Sequence, residues 1–406
     1  MNKRNIIGLL VLSILTTSLW ASDNSIWAGP TRDNIYPETQ LLDEWPQGGP
    51  ELMWQSDSLG AGYSAVAVNS TGVYVTGMKE DRNGYLHAFN TDGTEKWKIQ
   101  YGREWYRAFP GTRSTPVIYE DLLYFESGQG VVYCIHPDTG DIIWSVDLLN
   151  DFGGQNIRYG LSESILVDDD KIICTPGGSD HNLLALNRFN GEVIWTSAAK
   201  GEPPTYITPS LIERNGMKLL VTITESSIMG IGFETGELLW SHIFINQGTT
   251  FPNTPIYRDG YIYCVAGYGM GGIMLQLSPD NTDVKEIWRN NTLDNQMGGV
   301  VVLDGFIYGS GHRSDRAWQC LNWQTGEVQY RFEELAQGAI LFADNKFYCY
   351  SEDGMVSLVN ADEKSFNVVS SFEVSAGTNE HFAHHIVHDG QLYIRHGDSL
   401  MVYKIN

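Results

Sequence analysis

Ala185-Leu-Asn-Arg-Phe-Asn-Gly-Glu-Val-Ile-Trp195 is an apolar run, a tight turn and a second apolar run closed by tryptophan. Its Asn-Gly pair marks a hairpin, because glycine takes positive φ without a Cβ penalty. The same element recurs as Cys134-Ile-His-Pro-Asp-Thr-Gly-Asp-Ile-Ile-Trp144, as Gly230-Ile-Gly-Phe-Glu-Thr-Gly-Glu-Leu-Leu-Trp240 and as Ala88-Phe-Asn-Thr-Asp-Gly-Thr-Glu-Lys-Trp97. Looser copies end at Trp288, Tyr330 and Phe372. Successive aromatics are 47, 51, 45, 48, 42 and 42 residues apart, a period that belongs to stacked or radially arranged supersecondary units.

A second hairpin precedes each of these, as in Thr115-Pro-Val-Ile-Tyr-Glu-Asp-Leu-Leu-Tyr124 and Thr254-Pro-Ile-Tyr-Arg-Asp-Gly-Tyr-Ile-Tyr263. Further copies begin near Ser64, Ser164, Thr208, Val300, Ala339 and Ile386, which makes eight first hairpins against seven complete second ones. The chain ends account for the difference. The last unit stops after Leu400-Met-Val-Tyr-Lys-Ile405, and Glu51-Leu-Met-Trp-Gln55 is an outer strand with no blade before it. Pairing the two closes a ring and removes its open sheet edges. The expected fold is therefore all-β, an eight-bladed β-propeller of four-stranded blades over residues 51–406. Trp54, Trp97, Trp144, Trp195, Trp240, Trp288 and Tyr330 are expected to wedge between neighbouring blades. Residues 22–50, rich in Pro, Gly and charge, read as an extended lead-in wrapping the outside of the ring.

The N-terminus carries Lys3 and Arg4, an apolar run from Ile6 to Leu19 and Ala21-Ser22 at a cleavage position, the pattern of a signal peptide over residues 1–21. No cysteine lies near that point for a lipid anchor, so an exported, soluble, periplasmic or secreted monomer is expected. Its loss would remove two positive charges and take the net charge from −23 to −25. Such a surface repels phosphate backbones and anionic headgroups, which argues against nucleic-acid and membrane-surface partners. Cys134, Cys174, Cys264, Cys320 and Cys349 mostly lie in apolar β-like runs and read as small core residues, with neither a disulfide framework nor a metal site.

The Thr-Gly-Glu-x-x-Trp element resembles the tryptophan-docking motif of the PQQ-like, or quinoprotein-like, eight-bladed propellers. Trp27-Ala-Gly-Pro-Thr-Arg-Asp-Asn34, with Glu44-Trp-Pro-Gln-Gly-Gly-Pro50 and Trp54, is similar to the lead-in of exported members. The resemblance implies either of two things. The family includes alcohol and sugar dehydrogenases, in which pyrroloquinoline quinone (PQQ) and Ca²⁺ occupy the central funnel beside a carboxylate base. It also includes scaffolds that bind no quinone, among them a propeller lipoprotein of the outer-membrane barrel-assembly machinery. The adjacent-cysteine disulfide of many of those dehydrogenases has no counterpart here.

Funnel groups must come from loops entering the innermost strands, which converge on the axis. Those loops offer Arg113, Glu163, Tyr206, Asn253, Gln296, Gln337 and His384. Glu163 and Asn253 are the one carboxylate-plus-amide pair suited to Ca²⁺, and Glu163 is the base if the protein is an enzyme. Trp105 and Trp318, outside the repeat, are candidates for a pocket wall. His384 and His385 must point to opposite faces of an extended segment, which argues against a metal site at His381, His384, His385 and His388. Ser310-Gly-His-Arg-Ser-Asp-Arg316 is a polar insertion placed to meet a ligand. These features favour a non-catalytic binding or scaffold propeller with a protein, glycan or small-molecule ligand. The alternatives are a PQQ- and calcium-dependent dehydrogenase and a carbohydrate-binding module using Tyr63, Tyr106 and Tyr206.

Overall fold

A computed structural model describes residues 25–245, 251–296 and 298–406; the signal-peptide segment 1–21 lies outside the described residues. The described chain forms eight four-stranded antiparallel sheets arranged as the blades of a propeller. One helical turn, Leu148–Asp151, interrupts the β-structure and is capped by the Asp147 carboxylate, which accepts from the amides of Leu149 and Asn150. Blade 8 is built from both ends of the chain. Its outermost strand Glu51–Ser56 pairs with Ser399–Lys404, Trp54 opposite Val402, as ring closure requires.

Burial follows strand position. The second strands, such as Leu122–Glu126, are buried on both faces because a blade lies against each. Outer strands such as Ile142–Asp147 are mostly exposed, Ile142 and Ile143 facing solvent while Trp144 is buried. In seven blades the outermost pair slips register next to the aromatic, for example between Ala185 and Leu186, directly after Ala185 has paired with Trp195, whereas in blade 7 the slip follows the pairing of Leu358 with Ser370, two residues before Phe372. Such a bulge twists the strand and re-aims its side chains.

The indoles reach the next blade. Trp195 Nε1 donates to the Phe233 carbonyl at 2.9 Å, and its ring lies against Gly236 in the turn of that blade. Trp97, Trp144 and Trp288 repeat this on Pro137, Arg188 and Trp323, each over the glycine three residues further on. Those glycines have φ between +71° and +78°, and a Cβ on them would collide with the ring. Trp54 makes the same contact with Thr91 and Gly93, joining blade 8 to blade 1. Trp240 and Tyr330 depart from the pattern. The turn of blade 5 is Pro279-Asp280-Asn281, without a Thr-Gly, and the buried Trp240 Nε1 finds no hydrogen-bond partner there. Tyr330 meets the Phe366 ring instead of a turn glycine.

The lead-in does not wrap the outside of the ring. Ser25 bridges to Ile118 in blade 2 and takes the Val68 amide of blade 1 on its hydroxyl. Arg32 donates to Ser164 and Ile165 in blade 3, Asp33 pairs with Arg258 in blade 5, Asn34 reaches Val300 in blade 6 and Ile35 bridges to Phe342 in blade 7. Residues 25–35 thus cross the ring over its axis. The chain then runs outward along blades 7 and 8, where Trp45 packs edge-on against Phe372, before entering the strand at Glu51. The physical reason is satisfaction of polar groups: inner strands are only three residues long in six blades, and the lead-in bonds to residues of or beside them.

Candidate functional site

The axis holds a cup of about 410 Å³, within the range of ligand pockets. Trp27 of the lead-in lies on its wall with His384, the two rings 5.1 Å apart. Burial pushes His384 down to about 4, so it is neutral at physiological pH. Gly298 shares this region with φ +55°, and a Cβ there would strike the His384 ring. Hydroxyls of the inner strands tie neighbouring blades together below the rim. Thr115 Oγ1 accepts from the Ala65 amide, Ser164 Oγ donates to the Thr115 carbonyl and Thr254 Oγ1 donates to the Thr208 carbonyl.

Of the seven funnel candidates, Arg113, Tyr206, Gln296 and His384 line this cup. Arg113 is stacked over Tyr63 at 5.3 Å and donates to the carbonyls of Gly111 and Phe109. Tyr206 Oη accepts from the Tyr159 amide, and Gln296 Nε2 donates to Tyr268 Oη.

Glu163, Asn253 and Gln337 are not on the wall. Asn253 is consumed between blades, donating to the Val265 and Asn295 carbonyls and accepting from the Gly299 amide at 2.6 Å. Gln337 bonds the Glu352 carboxylate. Glu163 is buried, with one oxygen on the Thr175 amide and the other without a partner. Position just ahead of a strand places a residue near the axis, but the direction of its Cβ then sends it inward or sideways between blades. The wall carries no carboxylate among the described residues, and Glu163 and Asn253 are not brought together. The donors that PQQ with Ca²⁺ would need are therefore not assembled here, since Ca²⁺ takes six to eight oxygen ligands.

Burial holds Glu163 and its neighbour Glu126 well above the usual carboxylate range, and each raises the cost of ionising the pair. A carboxyl with a raised folded value binds more protons folded than unfolded, so its contribution lowers stability as pH rises from its unfolded value of about 4.3. Glu163→Gln is thus expected to gain stability relative to the parent between pH 5 and pH 8. Urea midpoints at both values test this, and an unchanged difference would refute it.

The histidine segment separates as its alternation requires. His384 faces the cup, whereas His385 faces away and its Nε2 lies 3.0 Å from the Tyr348 carbonyl. His381 stacks on His396 and bonds Tyr350 Oη. No group of three or more His, Cys, Asp or Glu side chains is placed to hold a metal among the described residues, and all five cysteines are free and buried. Trp318 is a core residue donating to Ala336, while Trp105 lines a second hollow beside the cup. From the Ser310–Arg316 insertion, Arg313 reaches the wall and stacks over Tyr268 at 4.5 Å. Buried Asp294 fixes that loop by accepting from the amides of Gly269, His312 and Arg313.

Phe109, Arg158, Tyr159, Tyr268 and Phe382 also line the cup and were not singled out from the sequence. Most sit in the long connections between blades, Arg103–Val117 and Asp151–Leu166, and unusual length was the one available signal.

The family described as outer membrane protein assembly factor BamB matches residues 82–332. The BamB of Kangiella koreensis is 25% identical over 213 residues, 51% of this chain and 49% of that protein, so the chain aligns with about half of its relative's length. Among solved structures, BamB from Moraxella catarrhalis superposes with a TM-score of 0.63 at 14% identity, covering 88% of this chain and 100% of that one. The quinohemoprotein alcohol dehydrogenase of Comamonas testosteroni gives 0.65 at 13% identity, covering 92% and 79%. At such identities both show the fold alone. With eight closed blades, a recurring indole contact and a family match over more than half its length, the chain belongs to the PQQ-like propeller family described as outer membrane protein assembly factor BamB.

Proposed function

We propose that this protein is a non-catalytic scaffold that holds a protein partner during outer-membrane protein assembly in the periplasm. The match to the BamB family over residues 82–332 carries this reading. The cup supports it from the side of chemistry, having aromatic, hydroxyl and arginine groups on its wall but no carboxylate base among the described residues. No helix of the described residues is long and apolar enough to cross a membrane. On this reading the N-terminal 21 residues direct export and the mature chain works in the aqueous envelope.

Cross-linking in envelopes of the native host, followed by purification, is expected to return an outer-membrane assembly component. Recovery of the protein alone would overturn the proposal. Titration with PQQ plus Ca²⁺ is expected to leave the melting temperature unshifted. Saturable stabilisation would instead favour the dehydrogenase, because a ligand of the folded state raises stability by mass action.

A further inference from the structure

The arginines of the cup belong to a longer run. Arg158 lines both the cup and the adjoining hollow of Trp105, Tyr106 and Arg107. Each arginine of the run lies over an aromatic ring: Arg313 over Tyr268, Arg113 over Tyr63, Arg158 over Tyr159 at 5.2 Å, Arg107 over Trp105 at 5.7 Å and Arg82 over Tyr106 at 4.6 Å. Among the described residues the ion-paired arginines are Arg188, Arg258, Arg289 and Arg331, and none of these five is among them. Several carboxylates beside the run have partners of their own, Asp81 accepting from Asn83 and Tyr85. Glu104 is buried beneath the hollow on the Gly128 and Trp105 amides, Asp294 holds its loop, and Glu380 accepts from Tyr63 Oη.

In a chain of net charge −23, five arginines outside any ion pair on one face are a local inversion of the field, with the buried Glu104 near enough to favour the charge of Arg113. Stacking on rings keeps each guanidinium flat and leaves in-plane N–H groups for an incoming carboxylate. Exposed Phe109 and Tyr106 add apolar surface between the charges. Two hollows joined at Arg158 make an elongated track, closed at its axial end by Trp27. A compact small molecule would fill the cup and leave Arg82 and Arg107 idle, whereas an extended chain uses both.

We propose that this track binds an acidic, aromatic-containing segment of a polypeptide partner, laid from the hollow of Trp105 into the axial cup. The inference rests on the scaffold reading and specifies its contact surface. The test is fluorescence anisotropy with the mature protein and a labelled peptide of about a dozen residues alternating Glu with Tyr and Leu, and its Gln-for-Glu counterpart. Saturable binding of the acidic peptide is expected, weakened by salt. Arg82→Gln with Arg107→Gln, and separately Arg158→Gln with Arg313→Gln, should each weaken it about tenfold or more at unchanged melting temperature. All four are exposed and make no ion pair, so these variants should fold.

Equal binding of the Gln peptide, or no binding of either, would overturn the proposal. So would dependence on Arg158 and Arg313 alone with competition by benzene-1,3,5-tricarboxylate, which would assign a small organic anion to the cup. Displacement by an oligouronate at lower concentration than by unlabelled peptide would assign the track to an anionic glycan. If the fourfold variant still cross-links its envelope partner at the parental level, the track is not the contact surface while the scaffold reading stands.

Discussion

Trp195→Ala is expected to lower the unfolding free energy by about 3–5 kcal/mol, the range for removing a large buried aromatic. Three contributions coincide at this residue. Its ring is 8% exposed and packs with Ile173, Leu220, Met229 and Ile231 across the junction of blades 3 and 4. Its Nε1 satisfies the Phe233 carbonyl, and its face fills the space above Gly236 that no side chain of that turn can occupy. Alanine leaves both the void and the carbonyl, and no neighbouring side chain can collapse into a gap walled by two sheets. Trp195→Phe should recover part of the loss by filling the void without the hydrogen bond. Guanidinium unfolding followed by far-ultraviolet circular dichroism checks both, and an unshifted midpoint for the alanine variant would remove the indole from its wedging role.

Arg32→Ala is expected to cost about 2–4 kcal/mol, because removing one partner leaves buried acceptors unsatisfied. Arg32 donates to the carbonyls of Ser164 and Ile165, at 3.3 and 2.8 Å, in a site where burial pushes its own pKa down to about 10. Glu163 lies close enough to favour its charge. Arginine suits the place because its planar fork serves two acceptors at once, and Arg32→Lys should therefore restore only part of the stability. The alanine variant should also loosen residues 25–35 from the axis, read as greater acrylamide quenching of Trp27 together with faster exchange of the Ile118 amide, which donates to Ser25. A variant as stable as the parent with Trp27 equally shielded would show that Arg32 does not hold the lead-in across the ring.

The contrast between Trp195 and Arg32 runs through the molecule. Trp195 announces itself by a repeat, since a hairpin, a turn glycine and an aromatic at fixed spacing are local matters decided by φ, alternation and side-chain volume. The same local rules made eight blades, their four strands and the pairing of Glu51–Ser56 with the C-terminal strand legible, and they separated His384 from His385. They also located the loops that surround the axis. Arg32 sits in a segment without periodicity, and its path across six blades follows from long-range hydrogen bonds that no spacing records.

Whether a loop residue joins the cup likewise depends on a Cβ direction set by the blade next door, which is how His384 came to line the wall and Glu163 to be buried behind it. The sequence by itself determined the ring, its closure and the indole contacts of Trp54, Trp97, Trp144, Trp195 and Trp288, because each follows from a repeated hairpin or from the strand that one incomplete repeat lacks, whereas Trp240 and Tyr330 meet other surroundings. The tertiary structure alone decided that the lead-in lies across the axis, that Glu163 and Asn253 are each bonded away from the cup, and that five arginines from four loops share one face. Those outcomes depend on contacts between residues tens to hundreds of positions apart, where the position of one blade is fixed only by all the others.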